Sequence, residues 1–480
     1  MSFIHNKHSI SEMCVKHDIS DADFYSMNES ILFNMDLFVN DNTKYVANDD
    51  FEVSIKSSIY ELFCNELTLY LSSKNKLCSR CSEHCIPKYF EFVYSYAEMS
   101  FYQQIMPKRS FSTTFIRNAP DVEYMKNKIL HVNNKYQPDQ RTPEWYQYRY
   151  NLITASNAWK CFENSNVKNQ IIYEKCKPLV AGGSGSNYVN TSSPMHHGVK
   201  YEDVSVKLYE EKYKTKIADF GCLKHDKYPF LGASPDGINV LETSPLYGRM
   251  LEIKNPVSRM ITGNPKKDYW IQMQLQMEVC DLNECDFLEI KIIEFENEDE
   301  FIANGGFNQP PDNYDNAMGI LLYYSIEGKP TYELAPFFCS EPDYNIWFEK
   351  TQQKYEKNDK STFVRSIYWK VEIFSCVLVL RNKLWFAKSI DEIKDIWSII
   401  THDRINGYEH RAPKKRSKSI DNTPASGIVI NTDNSPCLID IDTFQDELDV
   451  EDKFNLTDLE LDFDTSGVEV DLSGSIMCIM

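Results

Sequence analysis

The stretch that most limits what this chain can fold into is "GASPDGINVLETSPLYGRMLEIKNP", Gly232 to Pro256. It sets Asp236 at a turn, between Pro235, which restricts the backbone, and Gly237, which permits a sharp bend. It then places Glu252 and Lys254 two residues apart in the apolar run "LEIK". Side chains two apart on a strand leave by the same face. Glu252 and Lys254 are therefore expected to project together, with Leu251 and Ile253 buried behind them. The intervening segment suits a loop between neighbouring strands. Pairing those strands would bring the Asp236 carboxylate against that of Glu252, where like charges repel and a pKa rises.

A divalent cation removes that conflict. Mg²⁺ takes hard oxygen ligands and keeps several waters, and Asp236, Glu252 and the backbone carbonyl of Ile253 make a partial shell. Lys254 can hydrogen-bond an attacking water and offset charge developing on phosphorus. A bound metal also eases the deprotonation of water and stabilises a leaving oxygen. This is equipment for hydrolysing a phosphodiester. Taken alone, the same residues also fit a surface hairpin with an ordinary Glu/Lys pair.

The 480 residues are 42% hydrophobic and 13% aromatic, enough for a sizeable core. A net charge of −20 at first argues against a nucleic-acid partner. The charge is unevenly spread, however. Ser419 to Met480 holds 15 Asp/Glu against one Lys, while Arg141 to Trp270 holds 18 Lys/Arg against 13 Asp/Glu. A basic centre and an acidic tail underlie the total. The 14 cysteines are mostly scattered, and the opening "MSFIHNKHSISEMC" has no apolar signal core. The strongest apolar run, "VEIFSCVLVL" from Val371, is too short to span a bilayer. We therefore expect a reducing intracellular setting, cytoplasm or nucleus, and no membrane.

Three regions are expected. Residues 1–137 read as a separate, mostly helical segment from the spacing of apolar residues in "DADFYSMNESILFNMDLFV" and "SIKSSIYELFCNELTLYLSSK". Residues 138–411 read as one α/β domain. Within it a helix opens at Pro143 and breaks near Asn151, a second starts at a Thr154/Ser156 cap, and another covers "HHGVKYEDVSVKLYEEKYK". Strands end near Ser234 and span Met250 to Lys254, and "DYWIQMQLQMEVCDL" reads as a buried helix. "FLEIKIIEF" and "GILLYYSI" read as strands, and "PDYNIWFEKTQQKYEK" and "SIDEIKDIWSIITHDR" as helices. Residues 412–480 read as a disordered tail, basic in "PKKRSKS" and then acidic with spaced Phe, Leu and Ile.

Five short patterns in order carry a more specific resemblance. Trp145, Arg149 and "ITAS" ending at Ser156 come first, then Gly198 to Glu202 on a helix. "SPDG" from Ser234 to Gly237 and "LEIKNP" from Leu251 to Pro256 follow, and last come Gln272 and Gln274. Together they resemble the lambda exonuclease and YqaJ-type viral recombinase family, a branch of the PD-(D/E)xK nucleases. The resemblance implies a restriction-endonuclease-like core, a mixed β-sheet flanked by helices. It implies a Mg²⁺-dependent nuclease, with Mn²⁺ as a substitute, degrading duplex DNA ends 5′ to 3′ and leaving 3′ single strands for recombination or repair. It assigns Arg149 and Ser156 to the terminal 5′-phosphate, Ser234 to the scissile phosphate or the turn, and Glu202 to the metals. One of Gln272 and Gln274 is aimed at the site. A single-strand annealing protein and a homo-oligomer enclosing DNA are implied as partners. An endonuclease on the same core and a non-catalytic recombination scaffold remain the alternatives. The Asn-, Ile- and Tyr-rich usage fits the AT-rich genome of a large DNA virus.

Other patterns carry less. Cys78, Cys81 and Cys85 offer a zinc half-site, but a second well-spaced pair is missing and the ligands are crowded, so zinc is not favoured. "AGGSGSNY" lacks the Lys-Ser/Thr ending of a phosphate-binding loop. His196 and His197 read as ordinary histidines. Lys266 and Lys267 are either a solvated pair or contacts to a DNA backbone.

Overall fold

The computed structural model describes residues 20–75, 84–112, 120–179, 189–310 and 312–412. The expectations for Cys78, Cys81, the glycine-rich loop and the tail lie outside these residues.

Four helices come first: α1 (Asp21–Asp41), α2 (Phe51–Ser73), α3 (Ile86–Gln104) and α4 (Val122–Asn133). A reciprocal capping box starts α1, with Asp23 N–H donating to Ser20 Oγ and Ser20 N–H to the Asp23 carboxylate. In α2 the buried residues Phe51, Ile55, Ile59, Phe63, Leu67 and Leu71 recur every four positions. That period draws one stripe down a helix. The stripe enters the same apolar cluster as Trp270, Met273, Met277, Trp385 and Ile393 much later in the chain. The N-terminal helices and the α/β residues thus share a core, and the N-terminal segment is not the separate unit expected, because its apolar stripes are buried in that same cluster.

Arg109 makes the junction polar as well. It is 1% exposed and donates to the carbonyls of Val46 (3.1 Å), Ala47 (2.9 Å) and Pro265 (2.9 Å), and to Asn264 Oδ1. Trp270 Nε1 returns a hydrogen bond to the Arg109 carbonyl at 3.2 Å.

The remaining helices are α5 (Pro143–Tyr150), α6 (Ala155–Ala158), α7 (Ser165–Cys176), α8 (Pro194–Tyr213), α9 (Lys267–Cys280), α10 (Glu298–Ala303), α11 (Glu341–Glu356) and α12 (Lys383–Asn406). The strands are β1 (Ile153–Thr154), β2 (Ile217–Ala218), β3 (Leu223–Lys224), β4 (Leu231–Ala233), β5 (Gly237–Asn239), β6 (Met250–Lys254), β7 (Glu284–Glu294), β8 (Met318–Ile326), β9 (Lys329–Leu334) and β10 (Ser361–Leu380). Seven of them form one sheet in the order β2-β5-β6-β7-β10-β8-β9, and β1-β4-β3 form a smaller one. In the large sheet β6 and β7 run parallel and the other neighbours antiparallel. This is the mixed sheet flanked by helices that the sequence led us to expect.

Strand alternation decides what faces what. Leu251 and Ile253 of β6 join the cluster built on α8, with Tyr201, Val204 and Leu208. Met250 joins the cluster built on α9. Glu252, in phase with Met250, is turned toward α9. The run "VEIFSCVLVL" is the second half of β10, a 20-residue strand between β7 and β8. Among the described residues no helix is long and apolar enough to cross a membrane.

Candidate active site

The antiparallel register of β5 and β6 pairs Gly237 with Leu251 and Ile238 with Met250. One step further out, Asp236 stands across from Glu252. The Asp236 carboxylate accepts the backbone N–H of Ile253 at 2.7 Å. Gly237 has no alternative here, because a Cβ would lie 2.2 Å from the Ile217 side chain. Glu252 is fully buried. Lys254 Nζ lies 2.6 Å from Glu252 Oε1 and 5.0 Å from the centre of the Tyr269 ring.

Glu252 receives two further donors from α9: Gln272 Nε2 to Oε1 at 2.7 Å, and Gln276 Nε2 to Oε2 at 2.6 Å. Successive helical residues turn by about 100°, so positions four apart share a face and positions two apart do not. Gln274 accordingly points elsewhere. It donates to the Leu380 carbonyl at 3.0 Å and accepts from Asn382 N–H at 2.6 Å, fastening the start of α12. Gln272 is therefore the one of the expected pair that meets Glu252. Gln276 went unnoticed in the sequence. The signal that could have found it is the i, i+4 spacing with Gln272 in a helix buried without interruption from Trp270 to Cys280.

The electrostatics follow from this crowding. Burial first, and then the charge of Glu252, push Asp236 well above the ordinary carboxylate range. Burial pulls Lys254 down, but Glu252 and Asp236 more than offset it, and its ammonium is held above its usual pKa. Glu202, on α8, stays exposed at the rim. Burial around it, then the charges of Asp203, Asp219 and Glu252, raise its pKa. α8 is fastened to the end of β6 by Ser205 Oγ, which donates to Asn255 Oδ1 at 2.7 Å.

A second group gathers beside "SPDG". Ser234 and Arg149 both lie beside the buried Cys222 thiol, whose pKa burial raises and the Arg149 charge lowers. Lys175 Nζ donates to the Arg149 carbonyl at 3.0 Å, and burial, then the Arg149 charge, bring Lys175 down to about 7. Arg149 itself lies 4.5 Å from the centre of the Trp145 ring. Ser156 is half-buried on α6, with its Oγ 3.3 Å from Thr154 Oγ1. β1 pairs with β4 and so carries α6 toward the strand that ends at Ala233, just before Ser234. Lys267 pairs with Glu163 at 2.6 Å. His196 Nε2 meets Tyr332 Oη at 2.6 Å, and His197 packs on Tyr201, both in the first turn of α8.

Among the described residues no group of three or more His, Cys, Asp or Glu side chains stands close enough to hold a metal as arranged. The donor chemistry still suits a hard cation. A carboxylate has about four lone-pair sites, and Glu252 uses two on Oε1 and one on Oε2 for its nitrogen donors. Asp236 and Glu252 thus retain acceptor capacity across from each other.

Residues 144–283 match the family model described as the YqaJ-like viral recombinase domain. That stretch of the chain is similar to a YqaJ-like domain. The YqaJ-like match begins at the helix bearing Arg149 and takes in Asp236, Glu252, Lys254 and all three glutamines of α9. An uncharacterised protein of Acanthamoeba polyphaga mimivirus is 27% identical over 308 residues, covering 57% of this chain and 55% of the relative. The chain thus spans about half the length of the curated relative it matches. Two solved structures of an alkaline exonuclease from Laribacter hongkongensis, one in complex with dAMP, are 17% and 16% identical to this chain. Each covers 55% of this chain and 95% of the solved one, with TM-scores of 0.34 and 0.32.

Proposed function

We propose that this protein is a divalent-metal-dependent DNA nuclease, acting 5′ to 3′ on duplex ends and leaving 3′ single strands for recombination or repair. The observation that carries the reading is the meeting of Asp236, Glu252 and Lys254 on adjacent strands, with Glu252 buried. A buried carboxylate opposite a second one is costly unless something cationic is nearby. Asp236, Glu252 and the Ile253 carbonyl would hold the ion, with Glu202 at the rim and Mg²⁺ or Mn²⁺ as the metal. When bound, the cation supplies charge neutralisation and a more acidic water. Lys254, kept as an ammonium by its two acidic neighbours, donates to the attacking water and meets charge developing on phosphorus. Arg149, with Ser156, receives the terminal 5′-phosphate, where a guanidinium offers a bidentate fork, and Ser234 lies at the scissile phosphate or begins the turn. A single-strand annealing protein, self-assembly and a viral origin remain part of this proposal.

A time course on end-labelled linear and closed circular duplexes with Mg²⁺ tests it. Loss of label from linear DNA with circles intact is the expected result. Cutting of circles would make it an endonuclease, and no cutting of either would leave a DNA-binding scaffold.

A further inference from the structure

We infer that Gln276 is a positioning residue that sets the spacing between Asp236 and Glu252; the inference rests on the nuclease reading. One carboxamide nitrogen of Gln276 holds two partners. It donates to Glu252 Oε2 at 2.6 Å and to the backbone carbonyl of Ser234 at 3.1 Å. Ser234 follows β4 and precedes Asp236 by two residues, while Glu252 sits within β6. A single planar amide therefore bridges the two chain segments that carry the acids. Gln272 has no such reach, since its amide meets Glu252 Oε1 alone among the hydrogen bonds of the described residues.

The orientation of the amide is decided by these partners. Turned over, its oxygen would face two acceptors. Its Oε1 has no hydrogen-bond partner among the described residues, although Gln276 is completely buried. An amide left half-satisfied in an apolar helix is a stability cost. A methionine of similar length would fill the same space without it. What the amide contributes is geometry: with Gln272 on Oε1 and Gln276 on Oε2, the plane of the Glu252 carboxylate is fixed, and the Ser234 tie holds the Asp236 turn at a set distance from it.

The test uses the full chain and Mn²⁺ alone as the probe. Titration calorimetry should show Mn²⁺ binding weakened at least tenfold in Gln276→Met and in Gln276→Asn, which keeps an amide one methylene too short to reach both partners. Gln274→Met should leave Mn²⁺ affinity within twofold while lowering the melting temperature. On linear duplex, the Mn²⁺ concentration for half-maximal cutting should rise in the Gln276 variants more than the rate at saturating Mn²⁺ falls. Folded Gln276 variants that bind Mn²⁺ as tightly as the unaltered protein would overturn the inference, and so would loss of folding in both, which would make Gln276 a structural residue. An unaltered protein that neither binds Mn²⁺ nor cuts DNA would instead overturn the nuclease reading.

Discussion

The Asp236 carboxylate accepts a hydrogen bond from the backbone N–H of Ile253, 2.7 Å away, which pins it to the strand segment between Glu252 and Lys254. Holding it there has a thermodynamic consequence. Asp236's folded-state pKa lies well above 3.8, through burial and then the charge of Glu252. A carboxyl with a raised folded pKa binds more protons in the fold than in the unfolded chain. The metal-free protein therefore loses stability as pH rises from near 3.8 through that window. Asp236→Asn keeps an acceptor for Ile253 and removes the charge. Without metal it should melt higher at pH 8 by roughly 3 °C, with a smaller gain at pH 5. With Mg²⁺ it should cut DNA roughly 10³-fold more slowly, and its melting temperature should no longer respond to Mn²⁺. Differential scanning calorimetry at two pH values, with and without Mn²⁺, checks this.

On the proposed function, in which the Lys254 ammonium acts on the reacting phosphate rather than on the duplex as a whole, Lys254→Met should lower hydrolysis by roughly 10³-fold and leave duplex binding in Ca²⁺ nearly unchanged. Binding by fluorescence anisotropy, beside cutting in Mg²⁺, separates the two. Unchanged cutting would remove Lys254 from the chemistry.

Lys175 predicts a pH-dependent preference for the DNA end. Its pKa is brought down to about 7 by burial and Arg149, so the fold binds fewer protons there than the unfolded chain between 7 and 10.5. Lys175 thus subtracts stability as pH falls through that range. A terminal phosphate beside Arg149 would favour the ammonium and raise the pKa again. The preference for 5′-phosphorylated over 5′-hydroxyl ends should therefore grow as pH drops below about 8, and Lys175→Met should flatten it. A preference independent of pH would place the phosphate elsewhere.

Arg109→Met should cost roughly 3 kcal/mol of stability, about 1 kcal/mol for each backbone carbonyl left without its donor. Since two of the partners, Asn264 and Pro265, lie just before α9, cutting should fall with it. A chain starting at residue 138 should not melt cooperatively, because the apolar cluster that includes Trp270 and Met273 would lose the residues that the N-terminal helices contribute to it. Urea denaturation of the variant and calorimetry of the truncated chain check both.

Much of the candidate site is legible in the sequence, and for one physical reason: strand periodicity is local. Two residues apart on β6 means one face, so Glu252 and Lys254 had to meet, and the Pro-Asp-Gly turn required a sharp change of direction at Asp236. The helical stripe of α2 and the buried character of α9 follow from equally local spacing. What the sequence did not reveal rests on contacts between distant segments. Gln272, Gln274 and Gln276 are alike in a helix with no exposed face, so the direction of burial could not be read from polarity. Only the packing of α9 against β6 on one side and the start of α12 on the other separates them. The second half of β10 looks like any short apolar run until β7 pairs along it, while β8 takes the first half. Arg109 lies in a segment with no pattern of its own, and its partners, from Val46 to Pro265, come together only once the chain has folded around it.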